Sequence, residues 1–250
     1  MIDLHIHSVH SDGDLDIQYA ISALLDNYSL ASFADHEHIF NPSRYTLNNS
    51  TRYITGVELC CNANGVPIEI LGYNFDPLDK ELRKVIESIR ARRRKIIVAI
   101  LADNGIPVNK LPENPVRKSI DLSVFDLDPS TFWKSYSDVY HNTCHSLDVQ
   151  SIMHCVFKAG GIPVLAHPME SFRGQSEESV ENKIKAIGIE TIELLTPKHS
   201  PLEVAMLDRI IARNRLSASI GSDSHGTCLN RTTVAYSLHD QKFSWIAKLL

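Results

Sequence analysis

Short apolar runs alternate along the chain with longer segments in which apolar residues recur at helical spacing. Seven of these runs have the length and the residue types of buried strands. They cover residues 2–7, 30–34, 53–60, 66–75, 162–166, 191–195 and 217–221. The pattern therefore predicts an α/β protein with seven strands.

Helical spacing falls between the strands, at residues 17–25, 79–104, 149–158, 177–187 and 202–213. Asp16 is a suitable N-cap for the first helix. Gly105 and Pro107 end the second, and Gly160 and Gly161 end the third. Strands that alternate with helices predict a mainly parallel sheet. Periodicity alone leaves open whether that sheet is open or closed into a barrel.

One segment, residues 77–150, interrupts the alternation after its long helix and carries Pro, Asn and Ser without a clear strand signal. We interpret it as a small, mostly helical insert that covers the substrate at one end of a barrel formed by residues 1–76 and 151–250. A basic run in its helix comprises Arg90, Arg92, Arg93, Arg94 and Lys95. This run is either a solvated face or a source of phosphate contacts, with Arg93 as the candidate.

Composition narrows the functional classes. The 250 residues are 43% hydrophobic and carry a formal net charge of -5, so a sizeable core is expected and stable binding to duplex nucleic acid is not. Five cysteines without a CxxC motif argue against a disulfide framework. No signal peptide and no bilayer-spanning run are evident, so we expect a soluble cytoplasmic protein.

The positions of the twelve histidines suggest chemistry. His5 and His7 lie two apart on the first predicted strand, so both side chains point to the same side, about 6.6 Å apart along the strand. Asp12 follows in a Ser-Asp-Gly turn. The first strand therefore offers two imidazoles and a carboxylate at one end, which together can bind a metal ion.

Four further strand candidates also end in His or carboxylate residues. The residues concerned are His36, Glu58, His167, Asp223 and His225, with Asp35 expected to orient an imidazole. Parallel strands share one carboxyl-terminal edge, where α/β proteins place their sites. A set of His and carboxylate ligands without Cys favours a multinuclear catalytic site for Zn²⁺, Mn²⁺ or Fe²⁺, with Mg²⁺ as an alternative, over structural zinc.

The segments DLHIHSVHSDG, ADHEH, GVEL, LAHP and GSDSHG resemble, in order, the motifs of the PHP (polymerase and histidinol phosphatase) family. The stand-alone nucleotide phosphoesterases of that family are the most similar in pattern. The resemblance implies a distorted seven-stranded (β/α)7 TIM-like barrel and two or three divalent ions. It assigns His5, His7, Glu58 and Asp223 to one ion. It assigns Asp12, His36 and His225 to a second ion, and Glu58 and His167 to a third.

Three positions depart from the family pattern or extend it. Glu69 stands where the family usually has a His ligand of the third ion, and a carboxylate there favours a harder ion such as Mn²⁺. Arg117 matches the Arg of an Arg-x-His substrate motif whose His is absent here. His199 resembles a substrate-side position that contacts phosphate or protonates the leaving group.

The resemblance implies hydrolysis of a phosphate monoester by hydroxide held on the ions. His36 or His199 would donate the leaving-group proton, and Asp223 would act in catalysis as an ion ligand. The expected substrate is a small phosphorylated metabolite: a nucleoside monophosphate, a 3′,5′-bisphosphate or a short oligonucleotide end. The alternatives are a histidinol-phosphate phosphatase, a metal-binding module without turnover, and an amidohydrolase, whose usual bridging Lys has no counterpart in the sequence.

Overall fold

The computed structural model describes residues 1–103, 147–226 and 240–250, and residues 134 and 137 singly. Eight strands form within these ranges. They are β1 (Ile2–Ile6), β2 (Leu30–Phe33), β3 (Arg52–Tyr53), β4 (Gly56–Ala63), β5 (Val66–Tyr73), β6 (Ile162–Leu165), β7 (Thr191–Leu195) and β8 (Ser217–Ile220). The predicted α/β class is confirmed.

The strands form two sheets. One has the order β1–β2–β3 and is wholly parallel, and the other has the order β4–β5–β6–β7–β8. Isolated bridges join their edges, from Ile6 to Ser224 and from His36 to Glu58. Within the described residues these bridges do not extend into continuous ladders, so the predicted closed barrel is not confirmed.

The single strand predicted over residues 53–60 is in fact two strands. The main-chain N–H of Ile54 donates to the carbonyl of Ala31, 3.2 Å away, and keeps β3 beside β2. The next residue, Thr55, turns away, and its hydroxyl donates to the carbonyl of Phe75 at 2.9 Å. The chain thereby changes partners between two sheets, a change that an unbroken apolar pattern cannot reveal.

The second sheet is mixed, which corrects the expectation of a mainly parallel arrangement. β5 is antiparallel to both β4 and β6, whereas β6, β7 and β8 are parallel. Asn64 and Gly65 join β4 to β5 with φ angles of 51° and 85°. An Asn-Gly pair with both φ values positive is the usual two-residue hairpin turn. The signal was present in the sequence, because no helix-length segment separates the two strands.

Seven α-helices lie in the described ranges: α1 (Ile17–Ala23), α2 (Lys80–Asp103), α3 (Val149–Lys158), α4 (Pro168–Phe172), α5 (Glu177–Ile187), α6 (Pro201–Asn214) and α7 (Ser244–Ala247). The five predicted helices are present, with small differences at their ends. Asp16 caps α1 as expected, because its side chain accepts a hydrogen bond from the main-chain N–H of Tyr19. The short helices α4 and α7 were not predicted.

Helix α2 packs through its apolar face into the main hydrophobic core, with Leu82, Ile89 and Ile97 fully buried. The carboxyl-terminal segment also packs on the sheet, since the indole N–H of Trp245 donates to the carbonyl of Ala218 at 2.8 Å. The division of the chain into a barrel and an insert over residues 77–150 stays a prediction.

The sequence also led to expectations about disulfides and about membrane-spanning segments. Cys60, Cys61 and Cys155 form no disulfide within the described residues, and the other two cysteines lie outside those residues. None of the helices in the described ranges combines the length and the apolar character that crossing a membrane requires.

Candidate metal centre

The ligand cluster is built on β1, whose imidazoles project together as the spacing predicts. His5 and His7 are fully buried, and their Nε2 atoms lie 3.1 Å apart. The main-chain N–H of His7 donates to the carbonyl of Ser224 at 2.9 Å, which brings the loop after β8 alongside. A Cβ at Gly221 would lie 2.2 Å from the Cβ of His5, so only glycine allows this approach.

Glu58 stands at the centre of the cluster and is almost completely buried. Its Oε2 atom lies 3.4 Å from His5, 3.2 Å from His7 and 3.2 Å from His36. Its Oε1 atom lies 3.1 Å from His167. One carboxylate therefore faces four imidazoles, as a bridge between ions requires.

All nine predicted ligands come together. Ligand atoms within 4.8 Å of one another form the overlapping groups His7–Asp12–His36–His225, His5–Glu58–His167, His5–His7–Asp223, His36–Glu58–Glu69 and His167–Glu170–Asp223. Nitrogen and oxygen donors of this kind suit divalent ions of the first transition row. Glu69 fits the pattern, because its carboxylate oxygens lie 3.8 Å from His36 and 3.5 Å from His167.

The last group contains Glu170, a residue that was not predicted. It lies in the first turn of α4, three residues after His167. Lys198, also unpredicted, places its ammonium 3.0 Å from Asp223 and 3.3 Å from Glu170. This side chain is 37% exposed, so it forms the solvent-facing rim of the cluster.

A fully buried carboxylate on β7, Glu193, holds two of the ligands. Its Oε1 atom lies 3.0 Å from Nδ1 of His5, and its Oε2 atom accepts the main-chain N–H of His167 at 2.9 Å. The first contact leaves Nε2 of His5 directed at the ligand cluster. Glu193 was not predicted from the sequence, although a lone acidic residue within a buried strand was a usable signal.

Asp35 reaches an imidazole through the hydroxyl of Ser11, and its predicted role in orienting that imidazole stays a prediction. Instead of contacting an imidazole, it accepts the main-chain N–H of Ser8 at 2.7 Å and the hydroxyl of Ser8 at 2.6 Å. It also accepts the hydroxyl of Ser11, which lies 3.3 Å from Nδ1 of His7. Asp35 therefore shapes the loop that follows β1.

Two ligands have backbone conformations that are rare for residues other than glycine. The φ angle is 22° at His167 and 50° at Asp223. Strained backbone of this type persists only where the surroundings impose it, and it concentrates at functional sites. His167 lies two residues after the end of β6 and Asp223 three residues after the end of β8, where the chain must turn sharply to present its side chains.

The electrostatics of the cluster call for added positive charge. Burial alone would lower the pKa of His7, but hydrogen bonds with Asp223 and Glu58 raise it to about 10. Burial likewise opposes protonation of His167, whose pKa is raised to about 9 by Glu58 and Glu69. Buried carboxylates that hold protons on imidazoles this strongly fit a site for divalent ions.

The three residues predicted to contact the substrate lie in different settings. His199 is buried, its Nδ1 lies 3.0 Å from the carbonyl of Leu194, and its Nε2 accepts the main-chain N–H of Met169 at 3.4 Å. Its pKa is lowered, mainly by burial. Arg93 is also buried and pairs with the carboxylate of Glu37. Arg117 lies outside the described residues.

A known protein resembles this chain in sequence over most of its length. No family model matches the chain. The 5′-3′ exoribonuclease of Haemophilus influenzae is 26% identical over 248 aligned residues, which cover 90% of each chain.

Two solved structures share the fold. A candidate metal-dependent phosphoesterase of Bifidobacterium adolescentis has a TM-score of 0.72 and 20% identity, and the match covers 99% of this chain and 96% of that one. An amidohydrolase of Chromobacterium violaceum, with bound sulfate and no metal, has a TM-score of 0.70 and 24% identity, covering 90% of this chain and 87% of that one.

The two structures show that this chain shares the fold of known metal-dependent hydrolases, and the sequence prediction of a clustered His and carboxylate site agrees with the geometry. Divalent metal ions are the cofactors that the clustered His and carboxylate side chains support.

Proposed function

We propose that this protein hydrolyses a phosphate monoester of a nucleotide or of a short oligonucleotide end, with two or three divalent ions held by the ligand cluster. The observation that carries the proposal is the position of Glu58, whose two oxygens face four imidazoles within 3.4 Å. Ligand groups that overlap in this way suit adjacent ions better than a single structural ion. Mn²⁺, Zn²⁺ and Fe²⁺ fit the donors, and Mg²⁺ is the harder alternative.

When bound, divalent ions activate water near neutral pH and neutralise charge on a phosphoryl group. The protein's own side chains determine where the ions would lie. His5 and His7 direct their Nε2 atoms to a common point, and Glu193 maintains the orientation of His5. Asp223 completes that group, with its Oδ1 atom 3.1 Å from Nε2 of His7. Asp12, His36 and His225 form the neighbouring group.

Lys198 gives the rim a fixed positive charge. Burial acts to lower the pKa of its ammonium, but Asp223 and Glu170 raise it above the ordinary value. The side chain therefore stays protonated throughout the neutral range. We assign Lys198 a contact with the non-bridging oxygens of the substrate phosphate, where a positive charge stabilises the transition state.

His36 and His199 are the two side chains predicted to donate the leaving-group proton. His199 uses both ring nitrogens within the protein, and its lowered pKa favours the neutral form. His36 is 17% exposed and lies at the edge of the cluster. Both ring nitrogens of His36 face the carboxylates of the ligand cluster, so we assign His36 to ion binding. We assign His199 to positioning the main chain at Met169, and we propose that the leaving oxygen takes its proton from solvent water.

One comparison supports a nucleotide substrate in particular. The Haemophilus influenzae relative is named as an exoribonuclease, which acts on phosphoesters of RNA.

The test is phosphate release by metal-free protein reconstituted separately with Mn²⁺, Zn²⁺, Fe²⁺ and Mg²⁺. The substrates are nucleoside monophosphates, 3′,5′-bisphosphates, phosphorylated short oligonucleotides and histidinol phosphate. We expect metal-dependent release from a nucleotide class. Release from histidinol phosphate alone would identify the alternative phosphatase, and silence from folded, metal-loaded protein would overturn the proposal.

A further inference from the structure

A second polar cavity lies beside the ligand cluster, between the loop after β2 and helix α2. Its volume is about 150 Å³, and it is lined by His38, Asn41, Arg44, Arg83, Glu87 and Arg90, together with two isoleucines. We call it the arginine pocket. One water occupies ~30 Å³, so this space admits a phosphate group with part of its hydration shell.

The arginine pocket carries an excess of positive charge, with three arginines against one glutamate. The chain as a whole has a net charge of -5, so this excess is local. Main-chain carbonyls help to orient the arginines: Nε of Arg83 donates to Pro77 at 2.8 Å and Nε of Arg90 donates to Glu37 at 2.7 Å. For Arg83, the carbonyl partner orients the guanidinium without neutralising it.

Other arginines of this protein are neutralised by carboxylates. Arg93, three residues after Arg90, pairs with Glu37, and Arg209 and Arg213 pair with the glutamates of α5. Within the part of the chain that the structure describes, neither Arg44 nor Arg83 has a carboxylate at ion-pairing distance. The positive charges of Arg44 and Arg83 are therefore available to an anionic ligand.

Two chain segments connect the arginine pocket to the ligand cluster. His38 lines the pocket and lies two residues after the ligand His36, a separation of at most about 7 Å between Cα atoms. The ring of His38 stacks on that of His10 at 4.3 Å, and His10 lies two residues before the ligand Asp12. A ligand longer than one phosphate can therefore reach both sites.

We infer that the arginine pocket binds a second phosphate group of the substrate, one that is not cleaved. The inference rests on the proposed hydrolysis of a phosphoester at the ligand cluster, and it narrows the substrate to molecules with at least two phosphates. Such a group occurs as the next phosphodiester of a single-stranded oligonucleotide or as the other phosphate of a nucleoside 3′,5′-bisphosphate. Arg44 and Arg83 supply the contacts, and Arg90 stabilises His38 at the wall of the pocket.

The test compares the wild-type protein with an Arg44→Gln/Arg83→Gln double variant and with Arg44→Gln alone, which alters only an exposed side chain. Arg52→Gln is the matched control, because Arg52 is an exposed arginine on β3 outside the pocket. Kinetics are measured with a nucleoside 5′-monophosphate, a nucleoside 3′,5′-bisphosphate and a dinucleotide with a terminal phosphate.

We expect kcat/KM of the double variant to fall at least about tenfold for substrates with two phosphates and to stay unchanged for the monophosphate. The salt dependence of kcat/KM should weaken in parallel, by about one unit of slope per lost contact. A loss confined to the dinucleotide would identify the phosphodiester as the ligand, and a loss confined to the bisphosphate would identify the free terminal phosphate. Equal effects on all substrates, or none, would overturn the inference.

Binding of a fluorescently labelled trinucleotide to metal-free protein, followed by anisotropy, tests the pocket without turnover. Wild type and Arg52→Gln should bind the trinucleotide with the same affinity, and the double variant at least about tenfold more weakly. If the double variant binds the trinucleotide more weakly but no substrate is hydrolysed, the proposed function is refuted while the inference about the arginine pocket stands. Identical binding by all variants, or no binding by the wild type, would refute the pocket.

Discussion

Two clusters of charged side chains in this protein differ in composition and in setting. On the surface of α5 and α6, Glu177 and Glu181 pair with Arg209 and Arg213, at distances between 2.6 and 2.7 Å. In the ligand cluster, buried carboxylates face imidazoles, and the one described ammonium, Lys198, lies at the rim. The surface network is balanced by arginines, whereas the buried one is balanced by protons on its imidazoles or by cations that replace those protons.

The difference teaches how to separate a structural ion network from a binding site. Surface pairs contribute little to folding, because water solvates each charge nearly as well as its partner does. Buried carboxylates without matching positive charge are costly to the folded chain and persist where a ligand compensates them. Function is therefore expected where folding gains least from the charges.

The largest expected effect comes from removing a ligand. Asp223→Asn keeps the shape of the side chain and tolerates its positive φ, but it removes the charge that the ions need. We expect phosphate release to fall by more than about 100-fold while circular dichroism stays unchanged. Glu177→Gln, in the surface network, is the matched control and should retain full activity. Equal activity in the two variants would remove the distinction between the clusters.

The next largest effect is expected from changing Glu193, which orients the imidazole of His5. Glu193→Gln preserves size but weakens the hold on His5, so we expect metal affinity to fall by roughly 10–100-fold. Isothermal titration of metal-free protein with Zn²⁺ or Mn²⁺ measures this directly. A merely structural role would lower the melting temperature and leave the affinity of the folded protein unchanged.

Removing metal should lower the thermal stability of the protein through the ligand cluster and not through the surface network. A divalent ion at a hundred times its dissociation constant adds about 2.7 kcal/mol to the free energy of unfolding. For a chain of this size, that raises the melting temperature by roughly 5–10 °C. Differential scanning calorimetry with and without chelator should show the shift in wild type and in Glu177→Gln. A similar shift in Asp223→Asn would place the stabilising ion outside the ligand cluster.

The smallest expected effect is in the surface network. Hydrogen bonds from Arg213, Lys185 and Asn214 lower the pKa of Glu181 to about 2. A carboxyl whose folded pKa is lowered stabilises the protein above its ordinary pKa of 4.5, and this contribution is lost as the pH falls through about 2. Glu181→Gln should therefore lower the melting temperature by no more than ~2 °C at pH 7, and high salt should reduce the difference. A difference that persists at pH 2 would contradict an ionic origin.

The sequence predicted the ligand cluster better than its surroundings. His5 and His7 were recognisable because alternation along a strand directs residues two apart to one side. Glu37 and Arg93 were not recognisable as partners, because their pairing depends on how α2 packs over the loop after β2. The charged run that contains Arg93 therefore divides in the folded protein, with Arg93 buried and Arg90 beside the arginine pocket.

The sequence by itself determined which side chains could bind metal and at which strand ends they stand, because both follow from local periodicity and residue chemistry. Only the tertiary structure decided that Glu58 contacts four imidazoles, and that Glu193 holds His5 across 188 positions of chain. It also decided where the strand over residues 53–60 divides and how the sheet becomes mixed. Local patterns record which face of an element is buried, whereas the partner of that face depends on contacts between distant segments.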